Sequence, residues 1–161
     1  DSSTLAMSSL KTLLLTFHTS IADREKGVAY IKKNPTSFDE LFDLACAAEK
    51  HREHIVAAWV FEHYILQHIE SLTPLLDQFL RGAKAQTHES KRRPMAKVLY
   101  HYCTHEVRRS VLSNKQINTI ISICFAYMID EKKIGRIISV KVESGSYLPE
   151  WHPNEDYKKR M

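Results

Sequence analysis

Through almost the whole of this 161-residue chain, apolar side chains recur three and four positions apart. That spacing gathers them into one stripe on an α-helix, whereas a strand with one buried face alternates. Leu10, Leu13, Leu14, Phe17 and Ile21 form the first stripe. Ile117, Ile120, Ile121, Cys124, Phe125, Met128 and Ile129 form the most regular one. Each stripe must be buried against another, so a succession of them predicts helices stacked on helices. Four glycines and five prolines supply little of the turn chemistry that many hairpins would need. The one β-branched run, residues 136–142, has no second strand to pair with and is read as helix. The expected fold class is all-α.

Local punctuation divides the chain into seven or eight helices. A short helix from Asp23 through Val28 and Ile31 ends before Pro35, because a residue preceding proline avoids helical dihedrals. Ser37 followed by Glu40 reads as a capping box, opening a helix with Phe38, Leu41, Phe42 and Ala45 on one face. Residues 50–69 are apolar on most sides, which predicts a central helix buried between neighbours. Thr73-Pro74 opens a fifth helix, with Leu72, Leu75, Leu76, Phe79, Leu80 and Ala83 inward. Ser90 caps a sixth with Met95, Val98, Leu99 and Tyr102; Pro94 requires it either to start near Arg92 or to bend. Ser113 or Asn114 caps a seventh, and residues 131–142 form an eighth. Residues 1–148 are taken as one domain, of a size that buries a core without disulfides or metals. Residues 149–161, with Pro149, Trp151 and Pro153, are taken as a C-terminal tail.

The helices also recur in pairs at a spacing of about 40 residues, in the range of HEAT and armadillo units. The stretches Ala57-Ala58-Trp59-Val60-Phe61-Glu62-His63 and Thr73-Pro74-Leu75-Leu76 carry a resemblance. So do Lys91-Arg92-Arg93-Pro94-Met95-Ala96-Lys97-Val98-Leu99 and Ile134-Gly135-Arg136-Ile137-Ile138-Ser139-Val140-Lys141-Val142. Over residues 24–148 the chain resembles a family of short bacterial HEAT-like proteins. That resemblance implies a right-handed α-α superhelix (a HEAT/ARM-like solenoid) of seven or eight antiparallel helices. Some members of such families carry an adenylosuccinate lyase label. The lyase superfamily's catalytic loop reads Ser-Ser-x-Met-Pro-x-Lys-x-Asn-Pro, and Arg93-Pro94-Met95 is the nearest echo here. The fold is therefore carried over, and no catalytic residue with it.

Charge is divided unevenly. Residues 1–80 hold 7 basic against 11 acidic side chains, and residues 81–161 hold 16 against 8, so the halves carry −4 and +8. Arg92, Arg93, Arg108, Arg109, Lys132, Lys133 and Arg136 fall near the ends of successive helices. Stacking would align such positions along one edge, which makes them the candidate contact surface for an acidic partner. The other reading is a set of solvated helix ends. Glu62, set among apolar residues of the central helix, either reaches solvent or a helix end or is a buried functional carboxylate.

His101 and His105 stand four apart, a spacing at which one helical face can hold zinc, so they are the metal candidates. Tyr102 occupies the position where a zincin has glutamate, and Cys103 projects away from both. No Glu is followed by His three residues later, as a di-iron bundle requires. No glycine-rich phosphate loop and no nucleophile elbow is present, so no cofactor is expected. Cys46, Cys103 and Cys124, an odd and sparse set within apolar stretches, read as buried thiols of a reducing cytoplasm. No run approaches the ~18 apolar residues of a membrane span, and Asp1-Ser2-Ser3-Thr4 lacks the basic start of a signal peptide.

The function expected first is a non-catalytic protein-interaction or scaffold module with a protein or peptide partner. The alternative is a nucleic-acid-binding protein related to HEAT-type DNA alkylation repair enzymes, with Trp59 and Trp151 as the candidate aromatics, Trp59 reading also as a core residue. A lyase-like enzyme is the third reading.

Overall fold

The computed structural model describes residues 7–130, which form eight α-helices: α1 (Ser9–Leu15), α2 (Ile21–Lys33), α3 (Phe38–Cys46), α4 (Arg52–Gln67), α5 (Leu76–Ala85), α6 (Glu89–Cys103), α7 (Glu106–Ser110) and α8 (Asn114–Asp130). There is no strand among the described residues. The expected helix over 131–142 and the tail lie outside them.

Several helices begin where a side chain takes up an orphan N–H of the first turn. Ser8 accepts from Lys11 N, Ser20 from Asp23 N, and the His88 ring from Ser90 N. Ser113 and Gln116 cap each other reciprocally: Ser113 Oγ accepts from Gln116 N, and Gln116 Oε1 accepts from Ser113 N.

Four placements differ from the sequence reading. The stripe from Leu10 to Ile21 spans two helices, because Ser20 starts a new one; Phe17 is buried between them, and Ile21 is 62% exposed. The Ser37–Glu40 box does not form, since Ser37 already has helical dihedrals at the end of a 3-10 turn, Pro35–Ser37, that runs into α3. Pro74 likewise sits in a 3-10 turn, Ile69–Leu75, ahead of α5. Pro94 lies within α6, which begins at Glu89 behind the His88 cap.

Packing arranges the helices in two rows. In the first, α4 lies between α2 and α6; in the second, α5 lies between α3 and α8; α3 also packs broadly on α4. The second-row helices start at Phe38, Leu76 and Asn114, 38 residues apart each time. Arg24 meets Trp59, and Lys32, eight residues on, meets Gln67, eight beyond Trp59, so α2 and α4 run parallel. Equivalent helices of successive pairs running side by side in one direction are the mark of a helical-repeat stack.

Close approach within each row falls at a glycine. A Cβ on Gly27 would stand 2.7 Å from a Val60 methyl, and one on Gly82 would stand 2.6 Å from Cys46 Cβ. The core between the rows is aromatic at its centre: Phe61 lies 5.4 Å from Phe42 and 6.0 Å from Phe79, ring to ring. Leu41, Ile65, Leu72, Val98 and Tyr102 complete it, each fully buried. None of the described helices is long and apolar enough to cross a membrane.

Candidate functional site

The first row presents a continuous side to solvent. On α4, Ile55, Trp59, His63 and Leu66 are half-buried at spacings of four, four and three, which is one outward stripe. On α6, Arg93, Lys97 and His101 follow every four residues, with Lys97 and His101 exposed. From α2, the Arg24 guanidinium lies 4.6 Å from the centre of the Trp59 ring, held there by an Nε bond to Thr19 O at 2.7 Å. Between α4 and α6, Lys97 Nζ reaches a carboxyl oxygen of Glu62 at 3.2 Å. Three helices thus meet on one face through an aromatic ring and an ion pair.

Glu62 is 1% exposed, and its Oε2 has no hydrogen-bond partner among the described residues. Helical phase explains the burial, because Glu62 shares a side of α4 with Ala58 and Ile65, both buried. Of the two sequence readings for Glu62, exposure to solvent is excluded. Its contact is a side chain of the neighbouring repeat rather than a helix end.

Among the described residues, most of the expected basic edge is engaged within the fold. Arg92 is a packed side chain, 3% exposed; its Nε donates to Gln86 O at 2.8 Å and its guanidinium lies 4.8 Å from the Tyr127 ring. Arg93 pairs with Glu89 one turn earlier. Arg108 bonds Tyr102 O at 2.9 Å and His101 O at 3.2 Å, closing the C-terminus of α6, and pairs with Glu70. Arg109 is half-buried on α7. Lys132, Lys133, Arg136 and Trp151 lie outside the described residues.

His101 and His105 are not on one helical face: α6 ends at Cys103, and His105 is the N-cap of α7. No group of three or more His, Cys, Asp or Glu among the described residues is placed to hold a metal ion. The cysteines are free thiols. Burial pushes Cys46 and Cys103 up to about 12 and raises Cys124 as well, so none is a ready nucleophile.

Sequence reasoning missed the buried polar groups that join the repeats. Lys91, 0% exposed, donates to Glu49 O at 3.0 Å, Leu44 O at 3.5 Å and also Ala47 O. Gln86 Nε2 reaches Cys46 O at 3.1 Å, Ala47 O at 2.9 Å and Gly82 O at 3.0 Å. Together they take up the carbonyls at the C-terminal end of α3, where no helical N–H remains to do so. The signal was present in the helical phase. Lys91 lies in register with Met95, Val98 and Tyr102, and Arg92 with Met95 and Leu99, all buried.

His54 sits in the first turn of α4, 9% exposed. Burial lowers its pKa from the ordinary 6.5; Lys91 and His51 add to this, and Glu53 and Glu49 oppose it. The unfolded chain therefore binds the proton first as pH falls below 6.5, and stability declines from there. Replacing His54 by Gln should flatten the denaturation midpoint between pH 6.5 and 5 relative to the parent. Parallel curves for the two proteins would exclude a part for His54.

No curated protein and no solved structure matches the chain significantly. A family model described as a HEAT repeat domain matches residues 12–141, across both rows of helices and the face built on α2, α4 and α6. The chain belongs to the HEAT repeat domain family.

Proposed function

We propose that the chain is a non-catalytic protein-interaction module that receives its partner on the outward face of α2, α4 and α6. The observation that carries the reading is Trp59, half-exposed between Arg24 and the Glu62–Lys97 pair where three helices meet. An aromatic residue flanked by both signs of charge, on a rigid helical support, has the composition of a protein contact. Repeat stacks serve such contacts because their helices add up to an extended surface.

The arginines bear on the nucleic-acid alternative. Phosphate binding draws its free energy from cations that release counterions. Arg92 is enclosed, and Arg93 and Arg108 are each paired with a carboxylate, which favours the protein partner. The lyase reading has no residue to carry it. A reducing, cytoplasmic setting suits the three free thiols.

A photo-crosslinking residue at position 66, on the face, should capture one discrete protein in cells, and one at position 78, exposed on α5, should not. Unlabelled chain should compete the adduct away, and Trp59→Ala should abolish it. Retention on DNA that falls steeply between ~50 and ~200 mM salt would establish the nucleic-acid reading instead.

A further inference from the structure

We propose that Glu62 is the anchor of this face for an arginine side chain of the partner, and that Lys97 holds its place in the free protein. The inference rests on the interaction reading above and gives the partner its chemistry. Three observations carry it. The carboxylate is buried on the central helix of the face, and Lys97 serves one oxygen while Oε2 lacks any partner among the described residues. The two side chains differ in freedom, Lys97 being 44% exposed and Glu62 2%. One turn before Glu62, the Trp59 ring already seats a guanidinium, that of Arg24.

A carboxylate left half-satisfied in a poorly solvated position binds best to a donor that serves both oxygens. An ammonium is a point charge on a flexible stem and meets one oxygen at a time. A guanidinium presents two parallel N–H groups in a planar fork that matches the carboxylate. Lys97 can swing into water without disturbing the core, and an incoming arginine then gains the contact that Lys97 leaves unmade. A partner lysine would only exchange one ammonium for another, so the site discriminates between the two cations.

The test titrates the full chain with acetyl-Gly-Arg-Gly-amide and with its lysine and citrulline counterparts, followed by backbone amide NMR shifts. The arginine peptide should move the resonances around positions 62 and 97 and bind about tenfold or more tighter than the lysine peptide. The neutral citrulline peptide should move neither. Lys97→Met, which removes the competitor, should tighten arginine binding several-fold; Glu62→Gln should lose it. Equal binding of arginine and lysine, no shifts with any peptide, or weakening by Lys97→Met would each overturn the proposal. Should Glu62→Gln fail to fold, the arginine-to-lysine ratio and Lys97→Met still decide. If the peptides fail while position 66 still captures its competed partner, the contact face stands and only the arginine anchor falls.

Discussion

Gly82→Ala should lower the stability of the folded chain by about 2 kcal/mol, although alanine is the better helix former. Gly82 lies within α5, where alanine in its place would ordinarily gain about 1 kcal/mol. The added Cβ would stand 2.6 Å from Cys46 Cβ, 2.9 Å from Cys46 Sγ and 3.0 Å from Cys46 Cα. The sulfur can turn away, but Cβ and Cα move only with the backbone of α3. To relieve the contact α5 must back off, and that strains the Gln86 bonds to Cys46 O and Ala47 O across the joint. Overpacking of this kind typically costs about 1–3 kcal/mol, occasionally more, and here it has to exceed the propensity gain. Gly27→Ala makes the useful control, because its nearest neighbours are the two Val60 methyls, with Val60 Cβ at 3.4 Å. A side chain yields more readily than backbone, so its loss should be the smaller. Chemical denaturation followed by far-UV circular dichroism measures both, and a Gly82→Ala protein as stable as its parent would sink the argument.

What could be read from the residues follows from how each feature leaves its trace. The all-round apolarity of residues 50–69 reports neighbours on several sides, and α4 indeed packs on α2, α3 and α6. The expected spacing of about 40 residues emerges as 38 in the second row. A helix as short as α7 has no room for a periodic stripe, so nothing announced it. The first stripe was read too long because Phe17 and Ile21 happen to continue the phase of α1 across the break at Ser20. The burial of Arg92 left its trace in a different way. Residue type alone points a charged side chain to solvent, while Lys91 and Arg92 share the phase of Met95 and Leu99. Phase decides direction, and a long cationic side chain pointed inward is kept there when it finds carbonyls. Glu62 was legible as an oddity of α4 from its apolar neighbours alone. Its partner, Lys97, comes from the next repeat, and pairing across that distance is fixed only by the packing of α4 on α6.

The second large effect belongs to Lys91, the cation that ties α3 to α6. Lys91→Met keeps the length and bulk of the stem but removes every donor to Ala47 O, Glu49 O and Leu44 O. Those carbonyls close the C-terminal end of α3, where the helix dipole adds to their need of positive charge, and Gln86 reaches only one of the three. Leaving buried acceptors unmet should lower stability at pH 7 by about 2–3 kcal/mol. The loss has a pH signature. Burial lowers the Lys91 pKa from 10.5 to about 8. Between those values the unfolded chain holds a proton that the folded chain has released, so this residue adds stability as pH rises from 8 to 10.5. The neutral amine keeps two N–H donors, enough for Leu44 O and Glu49 O, and Gln86 still serves Ala47 O. The gap between the parent and Lys91→Met should therefore widen across that window by an amount on the order of 2 kcal/mol. The buried thiols and Tyr127 act in the opposite sense, their pKa values being raised by burial. Cys103, Cys124 and Tyr127 are common to both proteins. Cys46, which Lys91 lowers, still lies at about 12, above the window, and rises further without Lys91, so the difference between the two denaturation profiles reports Lys91. A gap that stays constant from pH 8 to 10.5, or a methionine variant as stable as the parent at pH 7, would remove Lys91 from the joint between the repeats.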